Sequence, residues 1–151
     1  MPPPRHGPYI PNLPQRVSSA YDEARDAFAV GAYTACELVC RSIIAYTSAE
    51  AIDGVKVNDT FNQHIDHLQE HGYITPRMEP WVRMIKDHGN EQTHTLIETS
   101  MERAKNTLTF TYTLLQLAFE MPHRMDLVLN PPENETTLPL RGIPPTPRPM
   151  R

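Results

Sequence analysis

The sequence predicts an all-α fold: a bundle of four to five helices with proline-rich, extended segments at its amino- and carboxy-terminal ends. Apolar residues recur at helical spacing through the middle of the 151-residue chain, and glycines or prolines separate these stretches. Six of the 16 prolines lie in residues 1–14 and seven in residues 131–149, where they favour extended backbone. We therefore divide the chain into an extended arm (residues 1–14), a helical bundle (15–122) and a proline-rich basic tail (123–151).

Two antiparallel helices open the predicted bundle, over residues 13–30 or 18–30 and over residues 32–51. In the second helix, Cys36 and Cys40 lie four residues apart on the apolar face. This geometry is poorly suited to a disulfide within one helix, and no nearby Cys or His completes a metal-binding set. Both cysteines are therefore expected to be buried, reduced thiols.

The third helix is predicted to begin after a cap at Asn58 or Asp59 and to end at Gly72. It carries three histidines at i, i+3 and i+7, namely His64, His67 and His71. No cysteine or suitably placed carboxylate completes a metal site with them. We therefore interpret them as a solvated polar face and predict no metal and no cofactor.

The fourth helix is predicted to open at Thr75-Pro76, and the fifth, the longest, to run from about Thr95 to Met121. Pro122 is expected to end it. Residues 107–114 alternate at period two and alone would indicate a strand. Because helical periodicity continues on both sides, a helix is predicted there as well.

Charge and hydropathy narrow the classes of partner. The formal net charge is −4, and all 18 acidic residues precede Leu138. An acidic body argues against broad, non-specific binding of nucleic acid, although it leaves room for a small basic pocket. No apolar run approaches the roughly 20 residues of a membrane span, and residues 1–8 have no signal-peptide core. We expect a cytoplasmic protein that does not contact a membrane.

The most informative stretch is residues 86–95, which contain no hydrophobic residue although they lie between two apolar helical patterns. On a helix, the residues at i, i+3, i+7 and i+11 would form one stripe: Arg83, Lys86, Asn90 and His94. Such a set of cations, amide and imidazole can bind or cleave a phosphodiester. The other interpretation is a solvated helix end, with Gly89-Asn90 as its C-cap.

Three segments, taken in order, resemble an uncharacterised bacterial and phage domain that is often fused to, or encoded beside, restriction and defence enzymes. They are residues 27–36 followed by Arg41, the leucine- and glycine-containing residues 68–74, and the motif Gly-Asn-x-x-x-His at residues 89–94. The resemblance covers roughly residues 14–120. That domain is in turn similar to a branch of the HEPN superfamily.

The HEPN resemblance implies an all-α bundle that is commonly dimeric. Active members are metal-independent ribonucleases whose Arg-x4–6-His motifs meet at the dimer cleft. In this register His94 would be the acid/base and Asn90 would orient it, but Gly89 occupies the arginine position and cannot stabilise a phosphorane. Lys86 or Arg83 would then have to supply the cation.

A second register also satisfies the HEPN motif. Arg83 and His88 are spaced as Arg-x4-His, but this register lacks the asparagine. Asp87, beside His88, would partly neutralise a phosphate site there. We favour the Gly-Asn-x-x-x-His register because it matches that branch of the superfamily at several positions.

Three functional hypotheses follow. The first is a non-catalytic HEPN-like interaction or regulatory module of a bacterial or phage defence or counter-defence system. It would form a homodimer or higher homo-oligomer and bind a protein partner through its proline-rich segments. The second is a metal-independent ribonuclease that acts on RNA through His94 with Lys86 or Arg83. The third is a structural subunit whose terminal segments connect it to the other subunits of a larger assembly.

Overall fold

The structure, a computed structural model, describes the backbone of residues 4–94 and 98–133, and all side chains in these ranges except those of residues 88–94. The predicted all-α class is confirmed, and no strand occurs in the two described ranges. The helices are α1 (Gln15–Ala29), α2 (Tyr33–Ala51), α3 (Phe61–Glu70), α4 (Glu79–His94), α5 (Met101–Leu115) and α6 (Met121–Leu129). A 3-10 turn, Pro76–Met78, precedes α4, and a π-helical turn, Gln116–Glu120, joins α5 to α6.

Helix α2 lies at the centre of the bundle and packs against α1, α3 and α5. One group of buried side chains joins α1, α2 and α5, and includes Val17, Cys36 and Leu108. A second group joins α2 and α5 to α3 and α4, and includes Ile65 and Phe110. Burying these apolar faces provides the main driving force for folding the bundle.

The prediction for the two cysteines is confirmed. Cys36 and Cys40 are free thiols, and both are fully buried. The hydrogen bond with Cys36, together with burial, raises the pKa of the Cys40 thiol well above its usual value. A protonated, inaccessible thiol is a poor nucleophile, so Cys40 acts as a core residue.

The cap predicted for α3 is wrong by one or two residues. Thr60, not Asn58 or Asp59, caps the helix: its Oγ1 accepts a hydrogen bond from the backbone N–H of Gln63 at 3.2 Å. The side chain of Gln63 in turn accepts from the backbone N–H of Thr60 at 2.8 Å. This reciprocal capping box satisfies two backbone donors, whereas a cap at residue 58 or 59 would satisfy fewer.

The histidines of α3 do not form a uniformly solvated face. His64 is fully buried, and its Nε2 lies 3.0 Å from the carbonyl oxygen of Val57. His71 is exposed, and His67 lies 3.7 Å from Asp59. Within the part of the chain that the structure describes, no three His, Cys, Asp or Glu side chains are grouped to hold a metal ion.

Three predicted helix ends are wrong. Helix α4 continues through Gly89-Asn90 to His94, so that dipeptide is not a C-cap. Helix α5 begins at Met101, where the Ser100 hydroxyl accepts from the backbone N–H of Arg103. Pro122 does not terminate a helix either. It lies at the second position of α6, and the backbone stays helical from α5 through the π-helical turn into α6.

Residues 107–114 are helical throughout, as predicted, despite their alternating pattern. Three threonine hydroxyls of this segment donate to carbonyls one turn earlier: those of Thr109, Thr111 and Thr113. That local bonding satisfies the hydroxyls inside a helix. Residues 134–151 of the predicted tail lie outside the described residues. No helix in the described ranges is long and apolar enough to cross a membrane.

Residues 4–14, hereafter the arm, are non-helical and pack against α1 and α5 of the same chain. Ile10 is buried in the core and Tyr9 is exposed. Arg5 lies 2.7 Å from Asp26, and His6 Nε2 lies 2.9 Å from Thr109 Oγ1. The arm is thus attached by both apolar and polar contacts.

The arm is expected to contribute less stability in acid. Burial first, and then the charges of Lys105 and Arg25, lower the pKa of His6 from its usual 6.5. The folded state therefore favours the neutral ring, so the contribution of His6 is complete above pH 6.5 and is lost as the pH falls through the folded pKa. Urea unfolding of the wild type and of His6→Gln between about pH 7.5 and 5 checks this. The wild type should lose stability relative to the variant, and a constant difference would contradict the expectation.

Candidate functional site

Helix α4 places the predicted polar residues on one continuous helix. It spans Glu79–His94, so the backbone of residues 83–94 has the helical spacing that the stripe requires. The side chains of three predicted site residues, His88, Asn90 and His94, lie outside the described residues. The two predicted cations can be located.

Both cations of the stripe already have acidic partners within the chain. The Lys86 Nζ lies 2.7 Å from Oδ1 of Asp66, which belongs to α3. The Arg83 guanidinium lies 3.9 Å from the carboxylate of Glu79, one turn earlier on α4. These pairs are partly solvated, and such pairs are each worth no more than about 1 kcal/mol. A phosphate at the stripe would have to compete with two carboxylates for its cations.

A second polar cluster, which the sequence reasoning missed, lies inside the bundle. Glu37 of α2 is fully buried. Its carboxylate accepts hydrogen bonds from the hydroxyls of Thr99 at 2.8 Å and Thr107 at 3.1 Å. The backbone N–H of Thr99 donates to the hydroxyl of Thr34 at 3.0 Å. These bonds tie the segment before α5 to α2.

Arg41 lies one turn after Glu37 on the same helix and borders a concave surface. Its guanidinium lies 5.1 Å from the centre of the Phe61 ring, within the range of a cation–π interaction. Burial lowers the pKa of Arg41, and the negative charge of Glu37 opposes this shift. The guanidinium remains charged, because an arginine in a protein is not deprotonated at neutral pH.

The concave surface beside Arg41 is a cavity of about 320 Å³ between α2 and α3. Its lining residues are Leu38, Arg41, Ser42, Ala45, Asp59, Phe61 and His64. A cation on an aromatic ring can position a small polar or anionic group. The lining contains no cysteine, and its serine, Ser42, donates to the carbonyl of Leu38 at 3.2 Å. The binding feature of this lining is therefore the Arg41 guanidinium beside the Phe61 ring.

One feature of the sequence could have revealed the buried carboxylate. Residues Cys36, Glu37 and Cys40 follow one another at i, i+1 and i+4 on the inward face of α2. A glutamate among buried apolar positions requires hydrogen-bonding partners, because an unsatisfied buried charge is strongly unfavourable. Its partners come from residues 62 and 70 positions further along the chain, and helical periodicity does not predict such distant contacts.

The chain matches a family model over residues 22–130, described as a domain of unknown function (DUF4145). It belongs to this family. The DUF4145 match covers α2 to α6 completely and most of α1, and it includes Glu37, Arg41 and the stripe on α4. The arm lies before the matched residues. No curated protein and no solved structure shows significant similarity to the chain.

Proposed function

We propose that this DUF4145 domain is a non-catalytic, HEPN-like interaction or regulatory module that associates with a second copy of itself through α6. The observation that carries the proposal is the apolar surface of α6. The resemblance of the sequence to HEPN-like domains supports a role in bacterial or phage defence or counter-defence.

Helix α6 contains no buried residue, although more than half of its nine residues are apolar. Its exposed apolar side chains are Met121, Met125, Leu127, Val128 and Leu129. Met121, Met125 and Val128 are spaced at i, i+4 and i+7, so they share one face. A contiguous apolar face on a folded domain typically marks a surface that a partner covers.

A second copy is the partner that best fits this face. The commonest homodimers have twofold symmetry, which requires a patch that complements itself. Next to the methionines, the exposed Arg124 pairs with Glu120, whose side chain is 14% exposed. Two copies of such a patch can bury the apolar stripe and keep this ion pair at its edge.

The non-catalytic part of the proposal rests on the cations of α4. Lys86 and Arg83 are engaged by Asp66 and Glu79, and Gly89 stands where HEPN ribonucleases carry arginine. A ribonuclease that used this motif would need Lys86 or Arg83 to leave its carboxylate partner and contact a phosphate of the substrate. The described contacts favour their present carboxylate partners instead.

The association is tested with two matched valines. Val128 and Val30 are exposed to similar extents, 77% and 72%, but Val30 is the residue that follows α1 and does not belong to α6. Sedimentation equilibrium over a dilution series should show a dimer for the wild type and for Val30→Glu, and a monomer for Val128→Glu. A wild type that stays monomeric, or a Val128→Glu variant that still dimerises like the wild type, would contradict association through α6.

Catalysis is tested separately with end-labelled transfer RNA and single-stranded RNA in EDTA. We expect no cleavage by the wild type or by His94→Ala. Cleavage by the wild type that disappears in His94→Ala would overturn the non-catalytic proposal and establish a metal-independent ribonuclease. This result is independent of the sedimentation data, so the two parts of the proposal can fail separately.

A further inference from the structure

Besides its side-chain contacts, the arm is held through three of its backbone carbonyl groups. The Arg25 side chain donates to the carbonyl oxygens of His6 at 3.2 Å and Gly7 at 2.6 Å. The hydroxyl of Tyr21 donates to the carbonyl of Pro8 at 2.7 Å. Two side chains from one face of α1 thus engage three consecutive carbonyls. Donors from aromatic and polar side chains to the carbonyls of an extended, proline-containing segment are typical of peptide-binding grooves.

The same surface forms a pocket for one side chain of the arm, that of His6. The ring of His6 lies 5.4 Å from that of Phe28 and 5.8 Å from that of Tyr112, measured between centroids. The hydroxyl of Thr109 donates to the carbonyl of Lys105 at 2.7 Å. It can therefore accept a hydrogen bond from the Nε2–H of His6, 2.9 Å away. The pocket suits a flat ring that carries a donor.

The next position of the arm admits only glycine. Gly7 has a φ of +100°, a conformation that residues with a side chain rarely adopt. A Cβ atom there would lie 2.7 Å from the Tyr21 hydroxyl oxygen and 3.1 Å from Cδ2 of Tyr112. The surface is thus selective for a planar donor side chain followed by glycine, and it binds the next residue, Pro8, through its backbone carbonyl.

Most residues of this surface lie inside the matched family region, whereas the arm that covers the surface lies outside it. Arg25, Phe28, Thr109 and Tyr112 all lie within the matched residues 22–130, whereas the arm lies before them. Most of the surface thus belongs to the DUF4145 match, with Tyr21 directly before it, and the segment that covers the surface lies outside the match. A family surface that is covered by a segment from outside the family model is a site that another segment can occupy.

We propose that this surface, the arm seat, is a peptide-binding site whose resident occupant is the chain's own arm. The arm seat consists of Tyr21, Arg25, Phe28, Thr109 and Tyr112. Its ligand class is an extended segment with histidine, or another planar donor, directly before glycine, presented by a partner protein. This inference goes beyond the association through α6 and uses a different surface.

The tether makes the arm an internal competitor. Because Ile10 is buried in the core a few residues further along, the arm is present at a high effective concentration, and a free peptide must displace it. The site is therefore autoinhibited in the wild type. Displacing the arm should expose it.

The test uses the full chain and a fluorescent peptide with the sequence of residues 4–12. In Gly7→Ala the new methyl group contacts Tyr21 and Tyr112, so the arm should leave the seat. We expect fluorescence anisotropy to show at least about tenfold tighter peptide binding to this variant than to the wild type. The same peptide with alanine in place of its glycine should not bind.

Gly54→Ala is the matched control, because Gly54 has a φ of +86° and nothing lies within 4 Å of a Cβ built there. The Gly54→Ala variant should bind the peptide as weakly as the wild type.

A second variant keeps the test decisive if Gly7→Ala fails to fold. His6→Ala removes the ring from its pocket without straining the backbone, and it should also bind the peptide more tightly than the wild type. Adding Arg25→Leu to whichever variant folds should abolish that gain. The inference is overturned if a folded arm variant binds no better than the wild type, or if the alanine-substituted peptide binds as well as the original. Neither result affects the sedimentation test of α6.

Discussion

Glu37→Ala is expected to lower the free energy of unfolding by about 3–5 kcal/mol, the usual range for removing one member of a buried charged network. The carboxylate is fully buried and accepts hydrogen bonds from Thr99 and Thr107. Its loss leaves two hydroxyls to find new acceptors and removes the negative charge that favours the charged form of Arg41. Urea denaturation followed by circular dichroism measures the change.

The control for this prediction lies on the same helix. Glu50 is an exposed glutamate of α2, and Glu50→Ala should change stability by no more than about 0.5 kcal/mol. Glu37→Gln keeps one acceptor oxygen for the threonines, so it should lie between the two alanine variants. If Glu37→Ala were as stable as Glu50→Ala, the carboxylate network would have no structural role.

Phe110→Ala is expected to cost about 3–5 kcal/mol, as large-to-small changes of buried aromatic residues do. Phe110 is fully buried, and its ring meets that of Trp81 edge-to-face, with centroids 5.2 Å apart and planes at 89°. The change removes the aromatic contact that joins α5 to α4 and leaves a cavity beneath Trp81. Because Trp81 is the single tryptophan of the chain, its fluorescence in a urea titration reports both the stability and the altered surroundings.

Phe110→Leu serves as the comparison for this prediction, since it keeps most of the buried volume and loses the edge-to-face contact. It should be clearly less destabilising than Phe110→Ala. A loss of under about 1 kcal/mol for Phe110→Ala would mean that α4 packs independently of this ring.

Helical periodicity predicted the elements better than it predicted their ends. The apolar spacing of α1, α2 and α5 follows from a strictly local rule, that inward side chains recur every three or four residues. The ends depend on bonds that single residues make. Thr60 caps α3 through Gln63, and Pro122 is accommodated directly after a π-helical turn within continuous helical backbone. Gly89 lies within α4, where a glycine is unfavourable but tolerated.

The candidate sites were predictable to different degrees. The stripe on α4 could be placed from spacing alone, because its members lie on one helix. Glu37 could not be paired with Thr99 and Thr107 in this way, since these contacts span 62 and 70 residues. The arm seat escaped prediction for the same reason. Arg25 and Tyr21 recognise backbone carbonyls, and a backbone carbonyl has no signature in the sequence.

The π-helical turn Gln116–Glu120 fixes how α6 is rotated about the helix axis relative to α5. Such a turn closes its hydrogen bonds from i to i+5, so it accommodates one residue more than an α-helical turn. One residue corresponds to about 100° of rotation around a helix axis. The methionines of α6 therefore point in a different direction from the one they would take in an uninterrupted continuation of α5. Deleting one residue between 116 and 120 would turn the apolar stripe by that angle without changing any residue in it. The direction in which the apolar stripe of α6 faces is thus encoded by chain length at one turn, separately from the chemistry of the surface it presents.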